Sequence, residues 1–324
     1  MFNIRTDLAV EAHELYRETD SREEVPGVVV DTEKLKKISI TRVHIKDKKG
    51  EEALGKKKGV YITLEIPTLI HKEQETFEDT IAVLSDELKR IMNLKEKDTV
   101  LVVGLGNWQI TADSLGPKVT ESLLITRHMI ELMPEEIEKG VRPVCALSPG
   151  VLGLTGIETS EIIKGVVQRV KPSVIIAIDS LAARKLSRIS TTIQLTDTGI
   201  TPGAGIGNPR QGLSIDELGV PVIALGVPTV VDAATMANDT IDLIIDHLMQ
   251  QTEQDSKFYD VLKNIDRDKK YSLIQQVQGL EQGALVVTPK EVDEIIEDIS
   301  EIIANAINIA IHDSITLDDL NKYH

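Results

Sequence analysis

The sequence predicts an α/β fold in which a mostly parallel central sheet carries helices on both faces. From residue 99 onward, short runs rich in Val and Ile alternate with stretches whose apolar residues recur every three or four positions. The runs at 99–103, 173–178 and 220–225 are almost wholly apolar, as strands buried on both faces are. Aromatic residues make up only 3% of the chain, so the core must rest on Ile, Val, Leu and Ala, which suits such strands.

Element by element, residues 8–16 form an amphipathic stretch. Residues 39–45 and 60–66 are rich in β-branched side chains and flank a polar, Gly- and Lys-rich segment. They read as a long-looped hairpin, an extension over about residues 39–66. Lys56-Lys57-Lys58 within it reads as a solvated loop tip. Phe77, Ile81, Leu84, Leu88 and Ile91 share one helical face. The strand at 99–103 follows, then a glycine turn. Pro117 suits the first turn of the next helix, whose stripe includes Leu123 and Leu124. Residues 141–147 read as a strand. Ile162, Val166 and Val170 mark a helix entered through Thr155-Gly156-Ile157-Glu158, which has capping-box spacing. Strands are expected at 173–178, 191–195 and 220–225, and a helix carrying Ile241, Ile244, Ile245 and Leu248 comes next. A polar excursion covers 250–282. The last helix is expected to begin at Thr288 as N-cap, with Pro289 at its first position and Glu291 closing a capping box. Val287 would pack on Val292, and Ile295, Ile299, Ile302, Ile303 and Ile309 supply the apolar face.

At 324 residues the chain is long enough for a large core. Its 52 acidic residues outnumber 36 Lys and Arg, a net charge of −16 that argues against nucleic acid as a direct partner. The single cysteine, Cys145, excludes an intrachain disulfide or a cysteine metal cage and reads as a small buried hydrophobe. The start of the chain does not read as a signal peptide, and no apolar run reaches membrane-spanning length, so a cytoplasmic protein without membrane contact is expected.

The most informative stretch is Gly104-Leu105-Gly106-Asn107-Trp108, leading through Asp113 to Gly116-Pro117. It follows a buried strand and presents one carboxylate just before a helix. A dinucleotide loop fails because Gln109 stands where the third glycine belongs. The second glycine loop, with Gly203, Gly205 and Gly207, lacks the Gly-Lys-Ser/Thr ending of a phosphate loop. These glycines supply tight turns, or N–H groups for a substrate carbonyl or oxyanion. There is no Gly-x-Ser-x-Gly elbow. His13-Glu14 opens a zincin-like pattern, but Arg17 occupies the second histidine position. Acids remain: Asp113, Asp179 and Asp197 all follow apolar runs or glycine turns. Each alone is a helix-cap candidate. A pair at neighbouring ends of parallel strands could instead share a proton, one member activating water and the other protonating a leaving amine.

The segments 104–117, Ala177-Ile178-Asp179-Ser180-Leu181-Ala182 and 196–208 together closely resemble the spore germination protease family, endopeptidases that begin degradation of small acid-soluble spore proteins. Residues 5–15 resemble the family's processing region, and the similarity runs to the C-terminal helix. The resemblance implies a three-layer, phosphorylase/hydrolase-like α/β sandwich related to hydrogenase-maturation peptidases. It implies that Asp113 and Asp179 are catalytic aspartates; Asp197, Gly104, Gly106, Asn107, Gly203, Gly205 and Gly207 read as supporting residues beside them, and neither metal nor cofactor is expected. It implies a homotetramer of the spore core, made as a zymogen that cuts itself between Asp7 and Leu8. Residues 1–7 would then be the propeptide and 8–324 the peptidase domain. Family substrates are cut after an acidic residue and before a large apolar one, followed by Ala, any residue and Glu; Asp7-Leu8-Ala9-Val10-Glu11 fits that pattern. A nickel-dependent peptidase of the maturation type and a non-catalytic nucleotide-binding module are the alternatives.

Overall fold

The computed structural model describes residues 6–19, 24–205, 207, 210–253, 256–264, 273–274, 276 and 285–320. Nine strands among them form one sheet: β1 (Val28–Leu35), β2 (Ile38–Ile45), β3 (Gly59–Glu65), β4 (Val100–Gly104), β5 (Val144–Leu147), β6 (Val174–Ala183), β7 (Thr192–Thr196), β8 (Val222–Asp232) and β9 (Val286–Val287). Their order is β1-β2-β3-β7-β8-β6-β4-β5, with β9 beside β8. The central block β8-β6-β4-β5 is parallel throughout. The hairpin extension β1-β2-β3 joins it through β7 by antiparallel pairing. The expected mixed α/β architecture, with its mostly parallel core, is present.

Helices cover both faces, because alternate strand residues point to opposite sides. On one face Val100, Val102, Ile176 and Ile178 pack with residues of α3 (Gln74–Met92), α4 (Leu115–Glu121) and α7 (Val292–Ile311). On the other, Leu101, Val103, Ile175 and Ala177 meet Ile163 and Val167 of α5 (Thr159–Val170). The hairpin half is covered on that second side by α1 (Ala9–Thr19) and α2 (Lys48–Leu54), where Ala9, Val43, Ile45, Leu54 and Tyr61 cluster. α6 (Ala233–Gln251) follows β8, but its expected apolar face is only half covered: Ile241 and Ile245 are half-buried, while Ile244 is 54% and Leu248 37% exposed.

Several local expectations differ from what forms. The hairpin loop is not simply polar coil, since Asp47 caps α2 by accepting from Lys49 and Gly50 N–H groups. Strand β1, unforeseen, pairs with β2 along its full length. Thr155 does not open a capping box: it closes a short preceding helical turn, and Glu158 is the N-cap of α5. Thr288 does not cap α7 either; its hydroxyl donates to Thr229 O, held there because Val286 and Val287 pair with β8. α7 therefore starts later, after Glu291. α4 stops at Glu121, short of Leu123 and Leu124. β6 and β8 both run further than expected, and that extension matters for the site. Residues 1–5 of the expected propeptide, and 254–255, 265–272, 275 and 277–282 of the polar excursion, lie outside the described residues.

Candidate active site

Asp179 is not at a strand end but inside β6. β4 pairs with β6 only as far as Gly104 opposite Ile178, while β8 continues beside β6 from Asp179 opposite Gly226 to Ala183 opposite Val231. One edge of β6 is thus uncovered from Asp179 onward. Leu105 marks the departure, its N–H donating to Ile178 O at 2.8 Å.

The glycine motif then folds back on itself. Gly106 has φ of 111°, and a Cβ there would lie 2.0 Å from Asp113 O, so a side chain would break the loop. Asn107 N–H donates to that same oxygen at 2.9 Å. Asn107 Oδ1 accepts from Gln109 N–H at 3.0 Å. The loop returns Asp113 beside β6, where Asp113 and Asp179 line one cavity of about 450 Å³ with Gly106, Asn107, Gly203 and Gly205. Gly104 sits behind it, where a Cβ would strike Gly116 O at 2.2 Å; its absence lets α4 pack on β4.

The two carboxyls are electrostatically unequal. Burial pushes Asp113 up to about 6. Asp179, only 6% exposed, is raised well above the ordinary carboxylate range by burial, then by repulsion from Asp113 and Asp7. Its Oδ1 accepts from Ser180 N–H at 2.9 Å, which offsets part of that rise. Both carboxyls are therefore harder to ionise than an ordinary aspartate, Asp179 the more so.

The segment before α1 lies across this cavity. Asp7 N–H donates to Ala182 O and Ala182 N–H donates to Asp7 Oδ2, both at 2.9 Å. Gly205 N–H also serves the Asp7 carboxylate, and a Cβ on Gly205 would fall 2.0 Å from Asp7 Oδ2. Leu8 is fully buried among Leu181, Ala183, Ile189 and Val231. Ala9, also fully buried, donates its N–H to Gln194 Oε1 at 2.7 Å. Glu11, 1% exposed, accepts from the N–H groups of Arg184 at 2.7 Å and Lys185 at 3.0 Å, bonds to the Thr6 hydroxyl, and has Arg188 at 3.4 Å.

Of the residues singled out in the sequence, Asp7, Gly106, Asn107, Asp113, Asp179, Gly203 and Gly205 come together, with Leu8 alongside. Gly207 is exposed and does not line the cavity. Asp197 does not join them: its Oδ1 accepts Val60 N–H at 2.8 Å, because β7 delivers it to the junction with the hairpin extension. Lys56 overturns the solvated loop tip. Lys57 and Lys58 are exposed, but Lys56 turns inward and donates to Thr6 O at 3.2 Å and Asp7 O at 2.9 Å. Gln194 was also missed, although its signal was present: a long amide in the alternating run Thr192-Ile193-Gln194-Leu195-Thr196. Among the described residues no group of three His, Cys, Asp or Glu side chains is arranged to hold a metal. No helix among them is long and apolar enough to cross a membrane.

A family model described as germination protease matches residues 9–263 and 249–324. The germination protease of Clostridium acetobutylicum is 53% identical, over 100% of this chain and 99% of its own length. That of Bacillus pumilus is 42% identical, over 100% of this chain and 97% of its own. A solved structure, a NiFe hydrogenase maturation protease HycI from Thermococcus kodakarensis, covers 68% of this chain and 98% of its own at 14% identity, with a TM-score of 0.34.

Proposed function

The chain belongs to the germination protease family, and from that membership we propose that it is an aspartic-type endopeptidase whose Asp113/Asp179 pair hydrolyses peptide bonds, its own Asp7–Leu8 bond among them. The observation that carries the reading is that Asp7, the residue before Leu8, lines the same cavity as Asp113 and Asp179, two carboxyls that burial makes harder to ionise.

The two acids divide the chemistry according to their environments. Asp113, the less perturbed, is the ionised member; Asp179, buried and repelled, keeps the proton. The Asp113 carboxylate takes a proton from water as the water oxygen bonds to the Asp7 carbonyl carbon. When the resulting tetrahedral species collapses, the C–N bond breaks and its electron pair stays on the Leu8 nitrogen, which receives a proton from the pair. The products are an Asp7 carboxylate and a Leu8 amine. Residues 1–7 are then the propeptide, and the zymogen is the chain with its own cleavage segment in place.

The same contacts account for a preference in substrates. Ala182 and Gly205 N–H groups meet an acid before the cut, an apolar pocket takes the next side chain, and a small residue fits at the fully enclosed Ala9 position. Arg184 and Lys185 N–H groups with Arg188 meet an acid two residues further on. Buried carboxylates require such charge-assisted donors. Small acid-soluble spore proteins in the spore core are the proposed substrates. A homotetramer is the proposed assembly, supported by the apolar side chains that α6 leaves exposed. The test is incubation of the processed chain with a peptide carrying Glu-Phe-Ala-Ser-Glu, followed by mass analysis. Cleavage between Glu and Phe is expected; an intact peptide, or a cut elsewhere, contradicts the reading.

A further inference from the structure

Asp7 stands in the wall between two cavities. One is lined by Asp113 and Asp179; the other, of about 200 Å³, is lined by Lys56, Gln194, Tyr61 and Thr198. The Asp7 carbonyl oxygen receives two hydrogen bonds, from Lys56 Nζ at 2.9 Å and from Gln194 Nε2 at 3.2 Å. This is the carbonyl of the Asp7–Leu8 peptide. We propose that Lys56 and Gln194 are the oxyanion-stabilising pair of the enzyme, the groups that hold the negative charge formed on the carbonyl oxygen when water adds to its carbon. The inference rests on the reading of Asp7–Leu8 as a bond the enzyme cuts.

The sheet register sets Gln194 in this position. Gln194 on β7 and Asp179 on β6 both pair with Gly226 of β8, which lies between them. Residues paired across neighbouring strands face the same side, so the amide and the carboxyl rise from one row, their Cα atoms about 10 Å apart at two strand spacings. Gly226 has no side chain of its own, and the Leu181 side chain fills the space its Cβ would take, 2.5 Å away. The Gln194 amide cannot turn over without loss: its Oε1 accepts from Ala9 N–H at 2.7 Å, which aims Nε2 at the Asp7 carbonyl.

Lys56 supplies charge. Its ammonium is held among buried groups where burial lowers its pKa, opposed by the attraction of Asp7 and Glu11. A cation shielded from water acts on a developing oxyanion far more strongly than the same cation in solvent. As the water oxygen bonds to carbon, the carbonyl π pair moves onto the oxygen and the two hydrogen bonds strengthen. As the C–N bond breaks, the pair returns and they relax. Of the glycine loops anticipated for this role, Gly205 gives its N–H to the Asp7 side chain.

The experiment is the first-order rate of self-cleavage of the full chain, followed by intact mass. Lys56→Met and Gln194→Leu are each expected to slow it by about 100- to 1,000-fold, the usual loss for one oxyanion donor. Lys56→Arg is expected to recover a large part, and the exposed Lys58→Met to leave the rate unchanged. Because Lys56 also holds Thr6 O, a simple anchoring role is separated by amide hydrogen exchange in the cleavage-dead Asp113→Asn background. The Asp7 and Ala182 amides are expected to stay protected when Lys56→Met is added. A rate for both Lys56→Met and Gln194→Leu within threefold of the parent overturns the proposal. So does loss of amide protection that parallels the loss of rate, or failure of Lys56→Arg to exceed Lys56→Met. If Lys56→Met does not fold, Gln194→Leu and Lys56→Arg decide by the same criteria. If Asp113→Asn itself cleaves normally, the dyad reading fails and not this one alone.

Discussion

Asp179 and Gln194 rise from one row of the sheet, on β6 and β7, with Gly226 of β8 as the common pairing partner between them. One is a buried acid beside a second acid; the other bonds the backbone on both sides of Leu8. The Leu181 side chain sits over Gly226, between the raised carboxyl of Asp179 on one strand and the amide of Gln194 on the other.

Glu11 should govern how well the chain presents itself. Its carboxylate is held by two backbone N–H groups with Arg188 nearby; Glu11→Ala leaves both N–H groups without that acceptor, while Arg188 keeps Glu14 and Glu65. Hydrogen bonds to a charged group contribute about 1.5–3 kcal/mol each, so self-cleavage should slow by at least about tenfold. The rate of appearance of the chain starting at Leu8 measures it.

Self-cleavage should depend on pH in a defined sense. It rises as Asp113 ionises, near about 6, and falls again at higher pH as the pair loses its shared proton. The two limbs belong to the coupled pair and not to either residue singly. A rate–pH series on the full chain checks this, and a flat profile through the acidic range is the contrary result.

Asp197, expected as a supporting group, is a structural acceptor for Val60 N–H. Asp197→Ala should therefore cost about 1 kcal/mol of stability, the scale of one hydrogen bond, and leave the self-cleavage rate of the folded chain within about twofold. Denaturant titration and the cleavage assay read the two effects separately.

His312 should make the fold sensitive to acid. It is 1% exposed, accepts Arg142 N–H at Nδ1, and is lowered to about 4, first by burial and then by Arg142. Its folded pKa lies below the unfolded value of 6.5, so the unfolded chain binds the proton first. The stability due to neutral His312 is complete above about 6.5 and is lost as pH falls toward 4, about 3 kcal/mol in all. His312→Asn, which keeps an acceptor but does not titrate, should flatten the loss of Tm over that range.

The fold was legible because the buried strands announce themselves: 100–104, 174–178 and 222–225 are nearly all apolar, and the stripes of α3 and α5 are regular. Asp113 and Asp179 were legible as acids next to such strands. What sequence could not convey is register. Nothing in the order of residues says that β4 leaves the sheet one residue before Asp179, or that Gln194 and Asp179 meet the same glycine. Lys56 was misread because it shares a lysine run with two exposed neighbours, and only the turn after α2 sends it inward. Thr288 was misread because strand pairing by Val286 and Val287 outweighs a local cap.

The most direct test of the dyad is the intact mass of the full chain over time, for the parent, Asp113→Asn and Asp179→Asn. The parent should convert to a chain beginning at Leu8, while each variant stays at full length with at least a 100-fold lower rate. Asp113→Asn should also be more stable than the parent at neutral pH. The raised carboxyl stabilises the fold only below its unfolded value of 3.8, and that contribution is gone once pH passes about 6. Conversion of either variant at the parent's rate, or a parent cut at another bond, would contradict the account.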